Sequence, residues 1–477
     1  VEPGRGSMTQ VVAALVGLAH MPDARSAANV GHGSGMTGTT LLTSTSLERV
    51  VTIEIEPVMV QGSFVFLPAN QPVFEDPRST FAFDDAKSFF AYNQEKFDLI
   101  FLEPSNPWVS GVSSLFTREF YRTSRDFLSP NGVLVQWMQM YEMNDDLFLS
   151  VLAAIDAEFD AYRAYRVGDM DVAIIAGNSA VLPQPDWTVL NNSGVDRVML
   201  GAPKLEAELM TALSMFDQTT FRAVLDGGVQ PNSDYHPLLD VGAEKARLEG
   251  THADGLYSFS SNRLDLSRLL AEEVQEPITF HVPSSRGVRP FVDWGRAAWM
   301  RDGLSGGGAV PPIQFLAWSG AMINVRNFLL EVRELPPRRG WATFVSAFER
   351  VERELNWGTT GWANEALYRL VFDFLDQYDA PDQYRAVVDF HYGLATFDWE
   401  AAAAAADILV TRVSGGERLV QPTVLLDGAV VAYLKSGRPL AAETAMQLLS
   451  PLSRREIGNL RSRLLEALIA EALAAQN

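Results

Sequence analysis

The chain contains no cysteine. That removes disulfides, thiolate nucleophiles and cysteine-ligated zinc together, and it fits a cytoplasmic protein without requiring one. Histidine is scarce too, six in 477 residues, and none shows metal-ligand spacing; His20, His32 and His281 read as surface or loop residues, and no metal is expected. Basic residues are outnumbered, 38 against 59 acidic ones, for a formal net charge of −21. Such a field repels phosphate backbones, so no nucleic-acid partner is expected, and it attracts polycations. Acidity also serves plain solubility. No apolar run approaches the roughly 20 residues that span a bilayer. The longest near the start, Val11–Met21, reads as a buried amphipathic helix. The first residue is Val1, not methionine. The expected location is therefore cytoplasmic, with membrane association through an upstream segment as the alternative.

What is present is a regular alternation. From Ser26 to about Gly177, short apolar runs at 27–30, 50–55, 79–83, 97–102, 132–136 and 171–176 are separated by helical stretches such as 86–94, 117–127 and 145–158. Continuous apolar strands between helices imply an α/β, Rossmann-like fold with a mainly parallel sheet covered on both faces. Residues 191–250 turn mostly helical, interrupted by Pro231–Asp240, which reads as a loop returning toward an edge strand. A chain this long exceeds one core. The expected organisation is a ligand-binding domain over 1–245, a connecting region over 246–311 holding the Gly/Pro-rich break 303–312, and an α-helical domain over 312–477. In that last part Ala401–Ala406 reflects helix propensity and tight packing. Tetratricopeptide-like helix hairpins and an irregular helical domain are equally compatible with it, since no strict 34-residue period is evident.

The most informative stretch is Ala28-Asn-Val-Gly-His-Gly-Ser-Gly-Met-Thr-Gly38, followed by Val50-Val-Thr-Ile-Glu-Ile-Glu56. A strand stops at a glycine-rich turn, a helix follows, and a second strand ends in carboxylates. Glycines admit a ligand where a Cβ would collide, and Glu54 can accept both hydroxyl protons of a ribose. The helix after the turn aims its positive end at the ligand, which suits a diphosphate dinucleotide or the tail of an adenosyl sulfonium equally. Asp84 and Asp85 end the third strand, where an aspartate can accept from an adenine amine. Glu103 ends the fourth, in Phe97-Asp-Leu-Ile-Phe-Leu-Glu-Pro-Ser-Asn-Pro-Trp108. Emerging from an apolar run, its carboxyl is expected to be partly desolvated, with a pKa raised toward that of a general base. The alternatives are a helix cap or an ion pair with Arg118. Ser105 and Asn106 are placed beside it, and Trp108 either shields the site or packs.

The order Gly31-His-Gly-Ser-Gly35, Glu54-Ile-Glu-Pro, Asp84-Asp-Ala, Phe97-Asp-Leu-Ile, Glu103-Pro-Ser-Asn-Pro-Trp and Leu115-Phe-Thr-Arg-Glu-Phe-Tyr121 resembles spermidine synthases. It is most similar to the bacterial spermidine-synthase-like form often fused to a membrane domain. The likeness covers about Met8 to Asp240, and the helical half lies outside it. The resemblance implies a fold shared with class I methyltransferases and an adenosyl sulfonium ligand, decarboxylated S-adenosylmethionine or S-adenosylmethionine. It places Gly31, Gly33, Ser34 and Gly35 at the sulfonium tail, Glu54 at the ribose and Asp84 and Asp85 at adenine. Glu103 becomes the base that deprotonates the attacking amine, with Asn106 and Gln136 near a polyamine such as putrescine. Ser34 replaces the aspartate usual in the glycine motif, and Asn106 replaces a second aspartate; each substitution removes a negative charge. Aminopropyl transfer is the first expectation, methyl transfer the second, and a non-catalytic nucleoside-binding protein whose helical domain recruits a protein partner the third. A homodimer is also compatible.

Overall fold

A computed structural model describes residues 5–199, 205–259, 264–272, 320–334, 340–355, 364–453 and 459–476, with Ala297, Met300, Arg301 and Leu304 besides. The glycine- and proline-rich break at 303–312, apart from Leu304, and His281 lie outside the described residues. The chain divides into two compact units, one running to Tyr257 and the other covering the described residues from Ser258 onward.

The first unit is built on eight strands: β1 Ser26–Val30, β2 Arg49–Ile53, β3 Ser79–Ala82, β4 Phe97–Leu102, β5 Leu128–Gln139, β6 Ala161–Arg166, β7 Asp171–Gly177 and β8 Ser214–Asp217. Their order in one sheet is β3-β2-β1-β4-β5-β7-β6-β8. The first five pair in parallel. The β5–β7, β7–β6 and β6–β8 pairs are antiparallel. The fold is thus Rossmann-like with a mixed sheet, mostly parallel in the half that carries the glycine turn.

Helices α1 Arg5–His20, α2 Met36–Leu41, α3 Pro57–Gly62, α4 Pro72–Glu75, α5 Ala86–Tyr92, α6 Arg118–Asp126 and α7 Asp145–Asp156 connect and cover it. Three of them begin at a short polar residue whose side chain accepts from the first turn: Asp85 from Ser88, Thr117 from Phe120 and Asn144 from Leu147. Those caps satisfy backbone N–H groups that a helix start otherwise leaves bare, which is why the sequence marks these helix starts sharply.

Helix α1 differs from an amphipathic helix: Val11 to His20 are buried without interruption. It lies on the face of the sheet holding Phe101 and Val135, and Gly17 permits the approach, since a Cβ there would stand 2.4 Å from the Phe101 ring. Strands β6 and β8 were not anticipated; Ala161–Arg166 repeats Ala-Tyr-Arg rather than forming an apolar run. The Pro231–Asp240 loop does not return to an edge strand. Asn232 instead ties it down, donating to the Phe116 carbonyl and accepting from Leu239, while its backbone bonds Arg118 and Ser150.

His20 and His32, expected on the surface, are both buried. His20 bonds the Pro183 carbonyl and the Tyr165 hydroxyl, and burial pushes its pKa down to about 4. A neutral imidazole packs as a small aromatic when each nitrogen finds a partner, as in His20, which composition alone cannot reveal.

The second unit is helical where described. Asp382–Thr396, Trp399–Ser414, Pro422–Lys435, Pro439–Ser453 and Asn459–Ala474 each pack on the next in the chain. Small residues set the spacing: a Cβ at Gly393 would stand 2.8 Å from the Ala402 backbone nitrogen, and Ala402, Ala403, Ala405 and Ala406 are buried. The alanine run thus serves close packing. Among the described residues no helix is long and apolar enough to cross a membrane.

Candidate active site

A cavity of about 940 Å³ opens along the carboxyl ends of the parallel strands. Its lining follows the strand order. Asp84 and Asp85 come from the end of β3, Glu54 from β2, Gly31 to Gly33 from β1, and Glu103 to Asn106 from β4. Trp137 of β5 and Asp171 of β7 complete the far side. Crevices at this edge are where open α/β sheets receive ligands, because the loops diverge there and the helices that follow turn their N-terminal N–H groups toward it.

The glycine turn is possible only with glycine. Gly31, Gly33 and Gly35 have φ of +94°, +54° and +79°. At Gly31 a Cβ would lie 2.3 Å from the Glu103 carbonyl oxygen, at Gly33 2.9 Å from Gln10 Nε2, and at Gly35 2.9 Å from the His32 ring. Gly31→Ala is therefore expected to destabilise the first unit by roughly 2–4 kcal/mol, read by denaturant unfolding, because backbone strain and a clash with main chain add.

Glu54 is buried and both its oxygens are engaged: Oε2 accepts from the His32 N–H and Oε1 from the Glu56 N–H, each at 2.9 Å. A carboxylate oxygen has a second lone-pair site, so the group that fixes the turn can still accept two hydroxyls. Beside it, His32 bonds the Ser63 hydroxyl through Nε2 at 2.7 Å, and burial pushes its pKa down to about 4. Asp85 caps α5 and Asp84 accepts from Tyr92, leaving both at the exposed end of the cavity.

Glu103 continues the β4 ladder, its N–H bonded to the Val30 carbonyl. Its Oε2 accepts from the Thr37 hydroxyl at 2.5 Å and from Gln10 Nε2 at 3.4 Å. Its Oε1 is shut from solvent with no partner. Burial raises the pKa to about 7, opposed by the hydrogen bonds from Thr37 and Gln10. Arg118, the alternative partner, is committed elsewhere: with Arg122 it binds Glu158. Asn106 donates to the Tyr141 hydroxyl at 3.1 Å, and Trp108 packs edge-on against Tyr141 rather than lining the cavity.

Ser34, Gly35 and Gln136 are not among the lining residues. Ser34 is fully buried behind the turn and donates to Gln10 Oε1, so it supports the amide that holds Glu103. Gly35 caps α2. Gln136 falls within β5, which runs on to Gln139, and pairs in register with Leu102. Residues alternate faces along a strand, so Gln136 points with Leu102 away from Glu103, where Tyr121 donates to it, and Trp137 takes the cavity face.

Sequence reading missed Thr9, Gln10, Tyr141 and Asp171. Asp171 Oδ2 accepts from Thr9 Oγ1 at 3.4 Å, and burial lifts its pKa to about 6, opposed by hydrogen bonds from Thr9 and the Trp137 side chain. A signal existed: Asp171 opens an apolar strand, and if that strand runs antiparallel its first residue reaches the ligand edge.

Sheet order, glycine turn and carboxylate rim define a Rossmann-like domain of the methyltransferase and spermidine synthase type. Residues 7–167 match the spermine/spermidine synthase domain. The polyamine aminopropyltransferase of Nitrosomonas europaea is 32% identical over 154 residues, covering 31% of this chain and 47% of that protein. That of Thermococcus onnurineus is 29% identical over 135 residues, covering 28% and 47%. A crystallised spermidine synthase in complex with the transition state analogue AdoDATO is 20% identical with a TM-score of 0.33, covering 37% of this chain and 62% of that one. Human methyltransferase-like protein 13 in complex with SAH is 17% identical with a TM-score of 0.30, covering 42% and 94%. The chain spans about half the length of the curated relatives it matches. Residues 7–167 are thus similar to the spermidine synthase-like family.

Proposed function

We propose that the amino-terminal unit is an aminopropyltransferase acting on decarboxylated S-adenosylmethionine and a polyamine such as putrescine. The observation that carries this reading is Glu103, a carboxyl with a pKa of about 7 in one cavity with the glycine turn and Glu54. The residues present fit an adenosyl sulfonium: Gly31 and Gly33 bring main chain to the cavity wall, Glu54 keeps acceptor sites for ribose hydroxyls, and Glu103 Oε1 lacks a partner. Asp84 and Asp85 stand ready to accept from the adenine amine.

A bound sulfonium supplies an alkyl carbon already activated toward a nucleophile. What remains for the protein is to align an amine behind that carbon and remove one proton. Glu103 in its ionised form takes the proton from the acceptor's ammonium, and the freed lone pair then forms the new C–N bond as the C–S bond breaks. Thr37 and Gln10 keep the Oε2 lone pairs occupied, so Oε1 is the oxygen left to receive the proton. Asn106 and Tyr141 position the amine.

A base with a pKa near 7 gives a pH profile of definite sign. Turnover is expected to rise about tenfold per pH unit below 7 and to level off above it, measured as methylthioadenosine formation at saturating substrates. A flat profile from pH 5.5 to 8 removes Glu103 as the base. A methyltransferase is the second reading, favoured by one observation: Ser34 is turned away from the cavity, so the glycine turn presents no acid against the carboxylate of ordinary S-adenosylmethionine. Mass spectrometry after incubation with both cofactors and candidate amines separates the two, methylthioadenosine marking aminopropyl transfer and S-adenosylhomocysteine marking methyl transfer.

A further inference from the structure

Three strands bring Glu103, Trp137 and Asp171 to one face. In the parallel β4–β5 pair Leu102 stands opposite Gln136, which puts the next residues, Glu103 and Trp137, together on the other side. In the antiparallel β5–β7 pair Trp137 stands opposite Ala173 and Gln139 opposite Asp171. Trp137 and Asp171 are therefore diagonal neighbours on that same side, within reach of a long aromatic side chain. The two acids are also tied to consecutive residues of α1, Asp171 to Thr9 and Glu103 to Gln10.

Asp171 owes its place to the β6–β7 hairpin. The Val167 and Gly168 N–H groups both bond the Asp171 carbonyl, closing a tight turn. A Cβ at Gly168 would stand 2.3 Å from Asp171 Oδ2 and 2.8 Å from Thr9 Oγ1, so the absence of a side chain there makes room for the carboxyl. The donors on that carboxyl are neutral, the Thr9 hydroxyl and the Trp137 side chain, and the charge of Arg166 acts on it as well. A half-buried anion held by neutral donors at a cavity wall is a place for a cation.

We propose that Asp171 is the second anionic pole of the acceptor site, so that Glu103 and Asp171, with Trp137 between them, select an acceptor bearing two cationic nitrogens on a short alkyl chain over a monoamine. This rests on the reading of the cavity as an amine-alkylating site. The spacing supports a short chain. Strands β4 and β7 are separated by β5 alone, about 9–10 Å, and Asp171 stands two residues, about 7 Å, further along than Glu103, so the two residues lie roughly 12 Å apart. Allowing a charge-assisted hydrogen bond of about 2.8 Å at each end leaves roughly 6 Å between the nitrogens, the reach of about four methylenes. The Trp137 ring supplies the apolar wall those methylenes need, and Tyr141, which feels the charge of Asp171 and accepts from Asn106, closes the same end.

The test is calorimetric and does not depend on turnover. The full chain, Asp171→Asn and Gly168→Ala are titrated with 1,4-diaminobutane and with 1-aminobutane, with and without methylthioadenosine. The wild-type chain is expected to bind the diamine more tightly than the monoamine. Asp171→Asn should weaken diamine binding about 10- to 100-fold, the scale of one charge-assisted bond. Monoamine and methylthioadenosine binding should change less than about twofold on that scale. Gly168→Ala should act in the same direction, by displacing the carboxyl without removing it. Diamine affinity unchanged in Asp171→Asn, or no diamine binding to the wild-type chain, overturns the proposal. Asp171-dependent diamine binding without any transfer product instead overturns the transferase reading and leaves the acceptor pole standing.

Discussion

Replacing Glu103 by glutamine is expected to abolish transfer and, at the same time, to stabilise the amino-terminal unit. The two effects have one cause. Burial raises the Glu103 pKa from 4.5 to about 7, so the folded chain holds this proton more tightly than the unfolded chain does. A group shifted upward in this way contributes its full stability below about pH 4.5, and that contribution is lost as pH rises through 7. At neutral pH and above, the cost of keeping the carboxylate ionised amounts to about 3 kcal/mol. Glutamine mimics the protonated acid and removes that cost. Melting of Glu103→Gln should therefore exceed wild type at pH 8 and match it near pH 4, while methylthioadenosine affinity stays nearly unchanged. A variant that turns over at the wild-type rate, or one no more stable at pH 8 than the parent, contradicts the role assigned to this residue.

The second large effect is expected at Glu54. Truncation to alanine should weaken nucleoside binding by about 1.5–3 kcal/mol, the range for hydrogen bonds to a charged group, or roughly 10- to 150-fold in Kd. The structure adds a consequence beyond the ligand. Glu54 also accepts from the N–H groups of His32 and Glu56, and the alanine variant leaves these without an acceptor. Amide exchange at His32 should accelerate even without ligand. Glu54→Gln retains one carbonyl oxygen and should lie between the two in both measurements. Calorimetry with methylthioadenosine showing unaltered affinity in Glu54→Ala means that the ribose is held elsewhere.

Strand-helix alternation, the glycine turn and the carboxylates that end β2, β3 and β4 were all legible in the sequence, because each depends on neighbours close in the chain. Apolar runs mark buried strands, and φ values above zero at Gly31, Gly33 and Gly35 are what a glycine-rich turn demands. Caps at Asp85, Thr117 and Asn144 are equally local. The histidines show the opposite case. His20 and His32 are buried because residues 163 and 31 positions away, Pro183 and Ser63, supply their partners.

The side of the cavity formed by β5 and β7 depended on strand direction and on face. Gln136 and Trp137 are adjacent in the chain, and only the register with Leu102 decides which of them shares a side with Glu103. Asp171 reaches the ligand edge because β7 runs against its neighbours; in a parallel strand its first residue would stand at the far end of the sheet. Thr9 and Gln10 join the site because α1 lies on the sheet with its amino-terminal end toward the same edge.

The chain by itself determined the strand–helix order, the glycine-rich turn and the identity of the acid at the tip of β4, since short-range patterning encodes all three. Which second acid faces it, and which neighbour lies between them, was decided only when strands distant in sequence were paired, because handedness and register are set by packing rather than by any single segment.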